Sequence, residues 1–194
     1  MVGEGLKETN VESLVRRRKP LRLKGYDYSQ AGAYFVTICA KDRKHLFGRI
    51  LGQRMEANTY GRIVEASWRD IPNHYRGIEL DEFILMPNHI HGIVVILDDF
   101  PTLGAGSEPA PTKRHSLSEI MGGFKTFSAR RINEIRTIPG TPVWQRGFFE
   151  HIIRNEKSLT HIREYIASNP QRWMLDKENP DRQGDLTDST EGLY

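Results

Sequence analysis

The order of strand-like and helix-like segments in this 194-residue chain predicts an α+β fold: a ferredoxin-like, split βαβ sheet of four antiparallel strands, followed by one further helix. Three observations carry that prediction. Four short runs rich in β-branched and aromatic residues alternate with segments of helical periodicity. Two of those runs stand only two residues apart, which makes an antiparallel hairpin. A last helical segment then closes the pattern. At 38% hydrophobic, the chain can bury one core, so one domain with tails is expected.

The elements follow in order. Residues 1–20 are polar, charged and aperiodic, and read as a flexible basic arm. Ala33 to Ala40 is β-branched and aromatic, a first strand. A polar stretch follows, with Gly48 and Gly52 marking turns. Asn58 or Thr59 caps a helix in which Ile63, Val64 and Trp68 recur, and which ends before Pro72. Leu80 to Met86 is a second strand and His89 to Leu97 a third, with Pro87 and Asn88 as the turn between them. Residues 98–114 are rich in Pro, Gly, Ala and Ser and read as a flexible insertion. Ser116 or Ser118 caps a long helix, apolar along Leu117, Ile120, Met121, Phe124 and Phe127, and basic at Lys125, Arg130, Arg131 and Arg136. Phe148 to Ile153 is the fourth strand. Asn155 caps a last helix that stops at Asn169-Pro170, because a residue before proline disfavours the helical region.

Composition narrows the function classes. A single cysteine, Cys39, rules out a disulfide framework within the chain and fits a reducing compartment. The N-terminus lacks the apolar segment of a secretory signal, and the apolar run Ile93 to Leu97 is too short to cross a bilayer. A cytoplasmic protein with no membrane segment is expected. Charge is unevenly placed: residues 1–50 hold eleven Lys/Arg against five acids, whereas residues 176–194 hold two basic residues against six acids. Such asymmetry suits a polyanion-binding front and a solvated acidic tail, here residues 174–194, although basic arms often serve solubility alone.

Two pairs of residues can carry chemistry. His89 and His91 flank Ile90 at the start of the third strand. Side chains alternate faces along a strand, so both imidazoles project from one face, about 7 Å apart along the chain, where their nitrogens can converge on a metal ion. A bare His-x-His is more often two surface or core histidines. In the last helix Leu159, Ile162 and Ile166 form an apolar stripe, with Tyr165 and Asn169 one turn apart on its shoulder. A tyrosine hydroxyl there can act as a nucleophile while the asparagine carbonyl contacts the same metal. The plainer reading makes Tyr165 an amphipathic residue at the edge of the core.

In combination these residues resemble the HUH single-tyrosine transposases, especially the REP-associated branch. The resemblance rests on Gly25 to Tyr28, Tyr34 to Cys39, Met86-Pro-Asn-His-Ile-His-Gly92 and Phe124-Lys125. It continues through Trp144-Gln-Arg146, His151 to Arg154 and Tyr165-Ile-Ala-Ser-Asn-Pro170 with Trp173. It spans roughly Arg18 to Trp173, which assigns residues 21–173 to the catalytic domain. It implies that His89, His91 and Asn169 are the protein ligands of Mg²⁺ or Mn²⁺, that Tyr165 is the nucleophile, and that hairpin-containing single-stranded DNA is cut to leave a 5′-phosphotyrosine and a free 3′-hydroxyl. The long loop at 98–114 and the extensions at both ends depart from the family pattern.

The chemistry is consistent with such a site. A divalent cation offsets the negative charge by which a phosphodiester repels nucleophiles, and tyrosine, with an ordinary pKa of about 10, needs assistance to attack. Two imidazoles and an amide are softer than the oxygen shell magnesium prefers, which leaves manganese equally suited. DNA contacts are expected from Arg16, Arg17, Arg18 and Lys19, from Lys125, Arg130 and Arg131 on the long helix, and from Gln145 and Arg146. Tyr26, Tyr28 or Trp144 can stack on unpaired bases, with Trp144 better suited to the core. Both a monomer and a homodimer are compatible with the sequence. The competing reading is a non-catalytic, domesticated nucleic-acid-binding protein on the same fold. A phosphodiesterase with two separated His-x-Ser/Thr motifs is disfavoured, since one His-x-His stands here and no second copy.

Overall fold

Residues 25–98 and 114–181 are described by a computed structural model. The arm with Arg16, Arg17, Arg18 and Lys19, nearly all of the 98–114 insertion, and the chain beyond Asp181 lie outside the described residues. The elements are β1 (Gly32–Cys39), a 3-10 turn (Lys41–Arg43), β2 (Gly48–Leu51), β3 (Arg54–Ala57), α1 (Thr59–Arg69), α2 (Ile71–His74), β4 (Ile78–Leu85), β5 (His89–Ile96), α3 (Leu117–Arg136), β6 (Phe149–Ile153), α4 (Glu156–Ser168) and a 3-10 segment (Asn169–Leu175).

The four predicted strands form one antiparallel sheet in the order β4-β5-β1-β6. Helix starts follow the capping chemistry. Asn58 accepts from Gly61 N, Asn155 accepts from Ser158 N, and Ser116 forms a reciprocal capping box with Glu119. The alternatives Thr59 and Ser118 do not cap. Among the described residues, no helix is long and apolar enough to cross a membrane.

The sheet has two differently covered faces because successive β residues alternate. Tyr34, Val36, Ile38, Ile90 and Val94 pack with Val64 and Trp68 of α1 and with Ile120 and Phe124 of α3. Phe35, Ile93 and Ile153 face the other way, against Ile162 and Ile166 of α4. Gly92 permits the first packing, since a Cβ there would collide with the Trp68 ring. The hairpin of β2 and β3 stands apart from the main sheet. Its turn residues Gly52 and Gln53 both have positive φ, 52° and 65°, as a tight two-residue turn requires. Four-residue strands with this much exposure carry little hydrophobic alternation, which is why sequence patterning shows turns there and no strands.

Candidate active site

The first turn of β5 places the two histidines. Register pairs His89 with Cys39 and His91 with Thr37. The Met86–Asn88 connection closes on itself through Met86 N donating to His89 O at 2.8 Å. Both imidazoles leave the sheet on the α4 face, with ring centroids 4.5 Å apart and their Nε2 atoms 3.0 Å apart. They are 0% and 1% exposed.

The far nitrogen of each ring is already engaged. His89 Nδ1 lies 2.8 Å from Asn88 Oδ1, while Asn88 Nδ2 donates to Arg43 O and Glu178 O. The amide orientation set by those two carbonyls leaves Oδ1 as an acceptor, so His89 carries its proton on Nδ1 and a lone pair on Nε2. His91 Nδ1 lies 2.8 Å from Thr37 Oγ1, a group able to donate or accept. Burial is the main force pushing both pKa values down, that of His91 to about 3, with the neighbouring imidazole adding to the effect on His89. The pair is therefore neutral, the form in which imidazole ligates a metal.

Helix α4 brings Tyr165 to this pair. Its hydroxyl lies 3.5 Å from His91 Nε2, and its ring meets Phe35 edge-on, with centroids 6.1 Å apart. Phe35 in turn stacks on His91. One turn later Asn169 is 2% exposed, and its Oδ1 has no hydrogen-bond partner among the described residues. A buried amide oxygen left without a donor costs stability unless something else fills the role.

Sequence reading misses Asp176. Its carboxylate lies 3.7 Å from His89 Nε2, and with the two histidines it forms a group whose ligand atoms all lie within 4.8 Å of one another. Charge counting places Asp176 in a solvated acidic tail, and this is corrected: Asp176, Glu178 and Asn179 are buried. Glu178 accepts from Arg43 at 2.9 Å and Asn179 donates to Trp173 O at 3.0 Å, so the turn folds back over the His89 end of the sheet. Burial raises the Asp176 pKa to about 6. No periodicity or motif in the sequence signals this return. The three grouped donors, two neutral imidazole nitrogens and a neighbouring carboxylate, fit a divalent cation.

Comparison with known proteins bears on the fold. No family model matches the chain. It is 38% identical over 179 residues to an uncharacterized protein of Haemophilus influenzae, covering 87% of this chain and 97% of that one. It is 24% identical over 144 residues to a protein of the same organism named a REP-associated tyrosine transposase, covering 74% and 73%. The solved structure of a REP-associated tyrosine transposase bound to a REP hairpin superposes with a TM-score of 0.54 at 19% identity, over 78% of this chain and 73% of that one. The chain shares the fold of that transposase.

The remaining sequence-predicted residues are dispersed. Lys125 Nζ donates to Gln145 O and Gly147 O, which makes it a staple for the loop before β6. Arg130 and Arg131 are exposed on α3, the layer on the opposite side of the sheet from the histidines. Gln145 N donates to Cys39 O, which sets that residue at the end of β1 nearest the site, with Arg146 exposed beside it. Trp144 is core, its Nε1 donating to Ser128 Oγ at 3.0 Å. Tyr26 and Tyr28 are half-buried and packed against each other edge-on.

Proposed function

We propose that this protein is a metal-dependent endonuclease and transposase of single-stranded DNA, which cuts and rejoins hairpin-bearing strands through a 5′-phosphotyrosine on Tyr165. The observation that carries the reading is the Tyr165 hydroxyl 3.5 Å from Nε2 of a buried, neutral histidine. The sequence likeness to a REP-associated tyrosine transposase, and the REP hairpin bound by the protein of similar fold, support the substrate class.

His89, His91 and Asn169 are assigned as ligands of Mg²⁺ or Mn²⁺, with Asp176 offering a carboxylate oxygen to the same place. The bound cation would neutralise and orient the scissile phosphate. Thr37 and Asn88 hold the two rings by their Nδ1 atoms, so that Nε2 of each is presented inward. Phe35 supports both His91 and Tyr165. Tyr165 Oη bonds to phosphorus as the bond from phosphorus to the 3′-oxygen breaks. The phenol loses its proton and the departing 3′-oxygen gains one. One phosphodiester replaces another, so attack by a different 3′-hydroxyl reverses the step and joins a new strand without ATP. Because the imidazoles expose no edge, a DNA strand reaches them only where the Asp176–Asn179 turn gives way.

Arg16, Arg17, Arg18, Lys19, Arg130, Arg131, Gln145 and Arg146 are assigned to DNA contacts, and Lys125 to shaping the loop that presents the last two. The closed site is also the observation that favours a second reading, a binding protein that no longer cuts. A denaturing gel separates the two. Protein is mixed with labelled hairpin DNA from the repeats flanking its gene, plus Mn²⁺ or Mg²⁺. A slow, protease-sensitive band that disappears with EDTA and in Tyr165→Phe is the expected result. A native shift without any such band would overturn the enzyme in favour of the binding protein.

A further inference from the structure

Helix α4 is held to the sheet at two flanks. On one flank Tyr165 meets His91 and Phe35. On the other, Arg163 makes a two-pronged contact with Asp81 of β4, Nε to Oδ1 at 2.9 Å and an Nη to Oδ2 at 2.6 Å. Between the flanks run Ile162 and Ile166, which are apolar and fix no rotation about the helix axis. The planar guanidinium fork does fix it, since both of its bonds must be made together.

Asp81 stands at a bulge in β4. Leu80 pairs with Val94, but Phe83 pairs with Gly92, so Asp81 and Glu82 together stand opposite Ile93 alone. The extra residue shifts the alternation of faces. Leu80 and Phe83 both pack into the α1/α3 core, while Ile84 pairs with His91 on the α4 face. An unbulged strand would turn Ile84 away from the tyrosine helix. One added residue thus turns Ile84 to the α4 face, the face Asp81 also takes.

We propose that Arg163 and Asp81 are positioning residues for the strand-cleavage step: their fork sets the roll of α4 and so the distance from the Tyr165 hydroxyl to the histidine pair. This rests on Tyr165 being the nucleophile. An off-line hydroxyl slows attack steeply, a misplacement of about 1 Å costing on the order of 100-fold. Neither Arg163 nor Asp81 is among the residues assigned to DNA contacts, so affinity for DNA is expected to be unchanged.

The test compares wild type, Arg163→Gln, Arg163→Lys and the charge-exchanged pair Asp81→Arg with Arg163→Asp. Single-turnover adduct formation with Mn²⁺ and hairpin DNA is read beside DNA affinity and Tm. Expected is a fall of roughly 10- to 100-fold in adduct rate for Arg163→Gln at unchanged Kd. Arg163→Lys, which keeps the charge without the fork, recovers little, and the exchanged pair recovers part. An unchanged rate in Arg163→Gln, or a rate that falls only in step with Kd, overturns the proposal. A second readout is independent of activity. With 3-fluorotyrosine incorporated, the Tyr165 resonance, assigned by its loss in Tyr165→Phe, should shift or broaden in Arg163→Gln. An unmoved resonance overturns the positioning role. Absence of any adduct from wild type together with a shifted resonance would instead refute the nuclease reading and leave the clamp standing.

Discussion

His89 and His91 are oriented through the nitrogens that do not face each other. Asn88 fixes one ring by an amide whose donor end is already used, and Thr37 fixes the other. Because His89 holds its proton on Nδ1, a hydrogen bond across the 3.0 Å between the two Nε2 atoms needs a proton on His91 Nε2. Binding a cation requires that proton to move to His91 Nδ1, where Thr37 Oγ1 then accepts it. Thr37→Val keeps the shape and removes the acceptor. Its affinity for Mn²⁺ should fall about 10- to 100-fold, as a titration followed by electron paramagnetic resonance would read. An unchanged affinity would mean that Thr37 does not select the tautomer. The shared face of His89 and His91 was legible in the sequence because it follows from strand alternation within a short motif. Thr37 and Asp176 were not, since one contributes through cross-strand register and the other through a return of the chain that has no local signature.

At the scale of elements, the strand carrying the histidines is braced from behind. Trp68 lies on Gly92, so Gly92→Ala forces the indole or the strand to move. A loss of about 1–3 kcal/mol of stability is expected in urea unfolding, and a neutral result would show that α1 yields easily there. The clamp between β4 and α4 has a pH signature. Its hydrogen bonds to Arg163 hold the Asp81 carboxyl below the ordinary value of 3.8, with Glu82 and Glu156 as the other charges close to the guanidinium. A depressed carboxyl stabilises the fold above its unfolded value, and that contribution disappears as pH falls through the folded value. The Tm gap between wild type and Asp81→Asn should therefore be constant above about pH 5 and close below about pH 4. A gap that persists in acid would detach the ion pair from stability. The helices and the four sheet strands were readable because caps, periodicity and turn residues agree. The bulge was not, because Leu80-Asp-Glu-Phe83 reads equally well as an unbroken strand until the partner register is known.

Over the whole molecule, the sheet separates two kinds of surface. One side bears α4, the histidines and the covering turn at Asp176–Asn179. The other bears α3 with its exposed arginines. A hairpin engaged by both must pass around an edge of the sheet, near the end of β1 where Gln145 is tied to Cys39. Arg130→Ala and Arg131→Ala should then weaken binding for all hairpin sequences alike, each reducing the slope of log affinity against log salt by about 1 if it contacts a phosphate. An unaltered slope in both would remove α3 from the DNA path.

Cys39 is the only thiol in the chain, and it is the cross-strand partner of His89. Its Sγ donates to the Glu178 carboxylate at 3.3 Å, and burial with that nearby negative charge pushes the thiol pKa up. A protonated, half-covered sulfur reacts slowly with disulfide reagents. Lifting the turn that carries Glu178 removes both the carboxylate and part of the cover. The rate of labelling by Ellman's reagent thus becomes a clock for that motion, with no need to introduce a probe. Hairpin DNA that opens the turn accelerates the labelling, and DNA that binds without opening it leaves the colour change slow.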